Sequence, residues 1–323
     1  MSTSAILLVG GKGTRLAPIT NQTPKPMLLV AGVPFTEHQI RKAADAGITE
    51  IVLATSYKAE LFEPYFGDGK RFGINIKYAV ESSALGTAGG IRNAAELLGP
   101  CDQVMIFNGD VLSGHSLSAQ LKSHIDNKAE VTLYLTEVAD ARAYGCVELA
   151  AENRVKSFLE KMENPVSNLI NAGCYIFNRN VIDSIPKDQV ISVERDTFPS
   201  LLNAGAKVYG FIDNSYWLDI GTPAALVKAS ADLVTGVIKS SATLEHTGDK
   251  IILSSAVIDS SAVINNGTVI EGEVVVESNT QISGSIIGKG AKIGKNCRII
   301  DSIIAPGTQI DTGMVIISNY LGF

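Results

Sequence analysis

Between residues 251 and 323 an apolar side chain returns at every sixth position in three runs separated by slips. Val257, Val263, Val269 and Val275 form one run, Ile287, Ile293 and Ile299 a second, and Ile304, Ile310 and Ile316 a third. A period of six matches neither the 3.6-residue turn of a helix nor the two-residue alternation of a flat strand. An antiparallel sandwich would not sustain it either. It is the period of a parallel β-helix made of hexapeptide repeats, in which three short faces close one coil of roughly eighteen residues. These Val and Ile residues are expected to point inward. Asn266-Gly267, Gly288, Gly290, Gly294 and Asn296 fall at the expected corners, where a chain that turns sharply favours Gly and Asn. The segment is long enough for about four coils, with a left-handed parallel β-helix as the expected form.

Residues 1–235 follow a different rule. Apolar strand candidates at Ala5–Val9, Glu50–Thr55, Asn75–Val80, Gln103–Phe107 and Val131–Glu137 alternate with helical patterns at Glu37–Ala46, Thr87–Leu98 and Leu117–Asn127. Apolar strands alternating with helices imply an α/β domain with a mainly parallel, Rossmann-like mixed sheet and helices on both faces. Such sheets bind ligands at the carboxyl ends of their strands. The expected division is a domain over 1–235, a polar linker over 236–250 and the β-helix over 251–323. With 46% apolar and 19% charged residues the chain is ordinarily globular, and a net charge of −6 argues against a general nucleic-acid surface. The chain runs from Met1 into an apolar stretch too short for a signal peptide or a membrane span, and Cys101, Cys146, Cys174 and Cys297 form no Cys-x-x-Cys pair. Both features fit a cytoplasmic protein with reduced thiols and no membrane partner.

The densest motif is Leu8-Val9-Gly10-Gly11-Lys12-Gly13-Thr14-Arg15-Leu16, followed by Thr23-Pro24-Lys25-Pro26-Met27. Glycines directly after a first strand let backbone N–H groups close around a phosphate. Arg15 brings a planar fork for phosphate oxygens, and Lys25 a point charge between two prolines. The spacing fits neither a P-loop nor the dinucleotide fingerprint Gly-x-Gly-x-x-Gly.

On these motifs the chain resembles the sugar-nucleotide pyrophosphorylase family. Three further passages, Phe107-Asn108-Gly109-Asp110-Val111-Leu112-Ser113-Gly114, Leu85-Gly86-Thr87-Ala88-Gly89-Gly90 and Ser192-Val193-Glu194-Arg195, are most similar to the bacterial mannose-1-phosphate guanylyltransferase branch. The resemblance covers residues 1–235, and hexapeptide coils follow in many members. It implies a nucleotidyltransferase that joins a nucleoside triphosphate, here GTP, to a sugar 1-phosphate, here mannose 1-phosphate, with release of pyrophosphate. It also implies Mg²⁺ as cofactor.

Asp110 follows an apolar strand and Asp219 lies in Tyr216-Trp217-Leu218-Asp219-Ile220-Gly221-Thr222-Pro223, just before a helix. Two carboxylates from distant segments can hold a Mg²⁺ that bridges triphosphate oxygens, and the resemblance implies that use. It also implies that Gly10, Gly11, Gly13, Thr14, Arg15, Gly86 and Thr87 line the nucleotide, while Gly145, Glu160, Lys161 and Asn171 hold the sugar phosphate. Met162 stands where the family often has Pro after this Lys. Glu81 occupies the place where related thymidylyltransferases carry a base-reading Gln. Guanine offers two adjacent donors, which one carboxylate can accept together, and this favours GTP at Glu81.

A sugar phosphate is already largely a dianion at neutral pH, its second pKa lying near 6, so the reaction needs no general base. His38, His115, His124 and His246 are scattered and receive no catalytic role. The expected catalytic set is Arg15, Lys25, Asp110, Lys161 and Asp219, which would neutralise charge while two anions are brought in line. Competing readings are a glucose-1-phosphate thymidylyl- or uridylyltransferase and a catalytically silent regulatory subunit. An acyltransferase on the coils is disfavoured, because residues 251–323 contain no His. Exposed coil edges suggest a homo-oligomer.

Overall fold

The computed structural model describes residues 2–11, 13–81 and 83–323. Met1 and Lys12 lie outside the described residues. The chain divides into two compact units, Met1–Gly11 with Gln39–Trp217, and Lys12–His38 with Leu218–Phe323.

The first unit is built on one nine-stranded sheet. Its strands are β1 (Thr3–Leu8), β2 (Glu50–Thr55), β3 (Asn75–Val80), β4 (Gln103–Asn108), β5 (Val131–Glu137), β6 (Gly145–Leu149), β7 (Val155–Glu160), β8 (Leu169–Asn178) and β9 (Val208–Ile212). The main path runs β7-β6-β8-β4-β1-β2-β3, and β5 joins β8 to β9. Strands β4, β1, β2 and β3 are parallel, as the alternating pattern requires. Beyond β4 the sheet turns antiparallel through β8 and β6 to β7. Ala5, Ile6 and Leu7 are all fully buried. Successive side chains of a strand point to opposite faces, so both faces of β1 are covered. Helix α2 (Gly86–Ala95) packs on β1, β2 and β3. Helix α3 (Leu117–Asp126) packs on β5 and β9, capped at its start by Ser116, whose hydroxyl accepts from the Ala119 N–H. Residues 39–45 of helix α1 (Phe35–Asp45) also belong to this unit.

Strand β8 is the branch point. Its second half pairs β4 on one side and β5 on the other, while its first half continues along β5 and touches β6 at Cys146. A bulge between Asn171 and Tyr175 separates the halves. Bulges re-aim side chains at the ends of strands, and this one lies beside the carboxyl end of β4: a Cβ on Gly173 would approach Asn108 and Val111.

In the second unit, helix α4 (Pro223–Val234) is followed by a parallel β-helix. Three stacks of short parallel strands run from Lys250 to Leu321, one of five strands and two of four. The inward core is Ile264, Ile270, Val276, Ile282, Ile287, Ile293, Ile299, Ile304, Ile310 and Ile316. The expected register therefore holds from Ile287 onward but is one residue early before it. Val257 and Val263 are 63% and 52% exposed. Val269 is buried on the outer side of its stack, in the strand that packs against α4. The physical reason is that each repeat carries a pair, Val257-Ile258, Val263-Ile264, Val269-Ile270 and Val275-Val276. Both members recur every six residues, and adjacent side chains of a strand face opposite ways. The first coil is eighteen residues long, since Val263 lies beside Gln281. Later coils are seventeen, since Gln281 lies beside Arg298 and Arg298 beside Val315. Among the described residues no helix is long and apolar enough to cross a membrane.

Candidate active site

In the second unit Gly13 comes to rest on Lys25. Gly13 has φ +61°, and a Cβ there would lie 2.8 Å from the Lys25 Cβ, so both the dihedral and the space exclude a side chain. The Thr20 hydroxyl donates to the Gly13 carbonyl at 3.1 Å. Thr14–Leu16 forms a single 3₁₀ turn in which Thr14 and Arg15 are exposed and Leu16 is buried. Lys25–Met27 forms another, and the Thr36 hydroxyl donates to the Pro26 carbonyl at 2.9 Å. Lys25 is thereby held as a nearly buried cation, 8% exposed.

Arg15 and Lys25 both meet Asp219. Arg15 Nη2 lies 3.5 Å from Asp219 Oδ2, and Lys25 Nζ lies 3.8 Å from Asp219 Oδ1. Arg15 also stands over Gly221, where a Cβ would come within 2.7 Å of Nη2. The turn after Asp219 ends in helix α4, whose cap is Thr222 accepting from the Ala225 N–H, with Pro223 following. A partly exposed guanidinium, a buried amine and a carboxylate so placed can take up phosphate oxygens and the counter-ion that accompanies them.

In the first unit Asp110 sits in the turn after β4. Gly109 N–H donates to the Leu8 carbonyl at 3.0 Å, and a Cβ on Gly109 would lie 2.3 Å from that oxygen, so only glycine fits. Asn171, on the β8 bulge, uses its side chain locally: Nδ2 donates to the Tyr175 hydroxyl and Oδ1 accepts from the Gly173 N–H.

Gly145 and Glu160 are paired residues of β6 and β7, and a Cβ on Gly145 would lie 2.9 Å from Glu160 Oε2. Lys161 follows with φ +50°, a left-handed conformation that non-glycine residues rarely adopt and that recurs at functional sites. It is held there by its N–H, which donates to the Tyr144 carbonyl at 3.1 Å, and its ammonium lies 3.7 Å from Glu160 Oε1. Burial raises the Glu160 carboxyl pKa. Lys161 opposes that shift, and the Glu194 charge adds to it. The Tyr144 ring meets Trp217 edge-on at 5.3 Å, and Trp217 Nε1–H donates to the Ala172 carbonyl. Trp217 and Glu194 thus join the segment to which the resemblance assigns Gly145, with its neighbour Tyr144, Glu160, Lys161 and Asn171.

At the same carboxyl edge of the sheet, beside the Asp110 turn, Gly10 and Gly11 follow β1. The Ser56 hydroxyl donates to the Gly10 carbonyl at 2.6 Å, and Gly11 faces open space. Glu81 follows β3; its Oε2 accepts from the Leu85 N–H at 3.2 Å, and burial raises its pKa while that N–H opposes. Gly86 opens α2 with φ +72°, and the Ala88 N–H donates to the Ile191 carbonyl. The Thr87 hydroxyl is engaged twice, accepting from the Val193 N–H at 2.7 Å and donating to Glu194 Oε2 at 2.8 Å. The segment at 191–194 therefore clamps the start of α2 to the neighbourhood of Glu160.

Residues 4–236 match the nucleotidyl transferase family, and residues 225–320 match the GlmU-like C-terminal hexapeptide family. The chain is 51% identical over 255 residues to the mannose-1-phosphate guanylyltransferase of Mycobacterium tuberculosis, covering 79% of this chain and 71% of that protein. It is 32% identical over 252 residues to the mannose-1-phosphate guanylyltransferase catalytic subunit beta of Drosophila melanogaster, covering 77% and 68%. Among solved structures it is similar to HddC from Yersinia pseudotuberculosis complexed with GMP-PN, with a TM-score of 0.61, 28% identity, and 71% and 98% of the two chains covered.

Proposed function

This chain belongs to the nucleotidyl transferase family, and we propose that within it the chain acts as a mannose-1-phosphate guanylyltransferase. The observation that carries this reading is the 51% identity to the mycobacterial enzyme of that name across 79% of the chain. In the reaction an oxygen of the mannose 1-phosphate dianion attacks the α-phosphorus of GTP. The bond from that phosphorus to the oxygen bridging the β-phosphate breaks, pyrophosphate leaves, and GDP-mannose remains.

No proton need be removed, so the side chains act by placement and charge. Arg15 and Lys25 neutralise triphosphate oxygens, exchanging part of their attraction to Asp219 for the substrate. Lys161 does the same for the sugar phosphate, and Glu160, Gly145 and Asn171 meet sugar hydroxyls. Gly10, Gly11, Gly13, Thr14 and Gly86 let the backbone approach the nucleotide. Thr87 serves it by holding the start of α2. Glu81 accepts from the guanine edge.

Asp110 and Asp219 are the residues we assign to Mg²⁺, an ion commonly held by one or two carboxylates plus substrate phosphates. Among the described residues no group of three or more His, Cys, Asp or Glu gathers as a metal cage. Near Asp110 the buried acceptors Gln39 Oε1 and Asn108 Oδ1 have no hydrogen-bond partner among the described residues and could accept from water on a hydrated cation. The cation would supply charge stabilisation at the phosphates.

We assign the chemistry to residues 1–235, with 236–250 as linker and 251–323 serving assembly. Exposed Val257, Val263, Val315 and Ile317 on the coils support self-association into a homo-oligomer. A cytoplasmic setting, where both substrates would be found, completes the reading.

The test is pyrophosphate release with Mg²⁺, crossing GTP, dTTP, UTP, ATP and CTP with mannose and glucose 1-phosphates. Turnover confined to GTP with mannose 1-phosphate is expected. Turnover with another pair would replace the base or the sugar, and nucleotide-sugar binding without turnover would make the chain a regulatory subunit.

A further inference from the structure

Helix α1 turns two side chains, Gln39 and Lys42, onto the backbone that carries Asp110. Gln39 Nε2 donates to the Asn108 carbonyl at 2.8 Å and to the Val111 carbonyl at 3.3 Å. Lys42 Nζ donates to the Ser113 carbonyl at 2.7 Å and to the Ser113 hydroxyl at 3.0 Å, and lies 3.2 Å from His115 Nδ1. Carbonyls on both sides of Asp110 are therefore gripped from a single helix, by residues one turn apart. Backbone bonds add to this grip, Gly109 N–H on the Leu8 carbonyl and Gly114 N–H on the Tyr216 carbonyl.

The Lys42 contacts account for all three ammonium donors. With His115 Nδ1 accepting from the amine, Nε2–H donates to Gln120 Oε1 at 3.2 Å, and Gln120 Nε2 donates to the Cys174 carbonyl at 3.4 Å. The His115 ring stacks on Tyr134 with centroids 3.7 Å apart. Burial lowers the Lys42 pKa to about 8 against the Cys174 and Asp213 charges, and burial with the Lys42 charge lowers His115 to about 3. Withdrawing an amine from water is costly unless its donors are all taken. An apolar residue would fill the same space more cheaply, so packing alone does not explain a lysine here. What the lysine adds is a grip on the strand leaving the Asp110 turn.

We propose that Gln39 and Lys42 are positioning residues that set the Asp110 carboxylate for a divalent cation. The proposal rests on the assignment of metal binding to Asp110. Partners that orient a metal ligand typically change metal affinity by roughly 10- to 100-fold when removed.

The experiment uses the full chain with GTP and Mn²⁺ as probe, counting free Mn²⁺ by electron paramagnetic resonance, with Asp110→Asn as control. Lys42→Met should weaken Mn²⁺ binding about tenfold and raise the Mg²⁺ needed for half-maximal pyrophosphate release by a similar factor. The KM for sugar phosphate should stay near wild type, and Lys42→Arg should restore part of the metal affinity. Folded Lys42→Met with Mn²⁺ binding like wild type would overturn the proposal. Should Lys42→Met fail to fold, Gln39→Leu takes its place, with the same loss expected and the same unchanged binding counting against the proposal. Wild-type Mn²⁺ binding in Asp110→Asn would remove the metal assignment itself, and the proposal with it.

Discussion

Thr87 and Glu194 stand 107 positions apart and share a 2.8 Å hydrogen bond, the hydroxyl donating to the carboxylate. The same hydroxyl accepts from the Val193 N–H, and the Ser192 hydroxyl donates to the same Glu194 oxygen at 2.9 Å. Thr87 is thus a tie between the start of α2 and the segment beside Glu160. Replacing it with Val leaves a part-buried N–H without an acceptor and removes one donor from Glu194. The expected cost is about 1 kcal/mol in urea unfolding, with Thr87→Ser close to wild type.

Lys25→Ala and Asp110→Asn should each reduce pyrophosphate release roughly 100- to 1,000-fold, the usual loss when one preorganised charge-stabilising group is removed. Circular dichroism should be unchanged in both. Near-wild-type turnover in a folded variant would remove that residue from the catalytic set.

Glu81→Gln should erode the preference for GTP over dTTP by about 1–3 kcal/mol, or roughly 5- to 150-fold in the ratio of kcat/KM values. An amide cannot accept from both guanine donors with one group. An unchanged ratio would assign base reading to the backbone.

His38 is buried between the Ser240 hydroxyl and the Val30 carbonyl, and burial lowers its pKa to about 4. A histidine held neutral in the folded chain but titrating near 6.5 when unfolded contributes stability that is complete above pH 6.5. That stability is lost as the pH falls toward 4, because the unfolded chain takes up the proton first. His115 acts in the same sense. Stability against urea should therefore fall on acidification, and His38→Gln should reduce the loss between pH 6.5 and 4 by on the order of 2–3 kcal/mol.

The coil register is open to a direct comparison. Ile264 is 4% exposed and Val263 52%. Ile264→Ala should cost roughly 2–5 kcal/mol, whereas Val263→Ala should stay within about 0.5 kcal/mol. Equal effects would contradict the inward register.

Sequence pattern read much of this architecture because the signals were local. Strands at Glu50–Thr55, Asn75–Val80 and Val131–Glu137 fall where their apolar runs lie. The period of six located the coils but not which of two neighbouring β-branched residues faces in, since Val263 and Ile264 repeat with equal regularity. Burial, a tertiary property, separated them. Arg15, Lys25 and Asp219 were legible from motif, and their convergence within one unit was not, since nothing local ties residue 15 to residue 219. Gln39 and Lys42 were illegible altogether. On a helix they look like ordinary polar residues, and only the path of the chain through Asn108–Ser113 gives them partners. Glu194 stood in a recognisable passage, but its link to Thr87 depends on the turn at 191–194.

The shift from an eighteen-residue coil to seventeen-residue coils has a consequence for how this protein could change in length. A seventeen-residue segment taken out of the later coils would leave each remaining strand above a neighbour of the same kind, with its isoleucines still inside. Removal of one residue within a strand would turn the side chains that follow it from interior to water. Growth and shrinkage of this end of the chain are therefore easiest in whole turns, while a single residue can drop out only at a corner, as between Ile282 and Ile287, without turning the stack beyond it inside out.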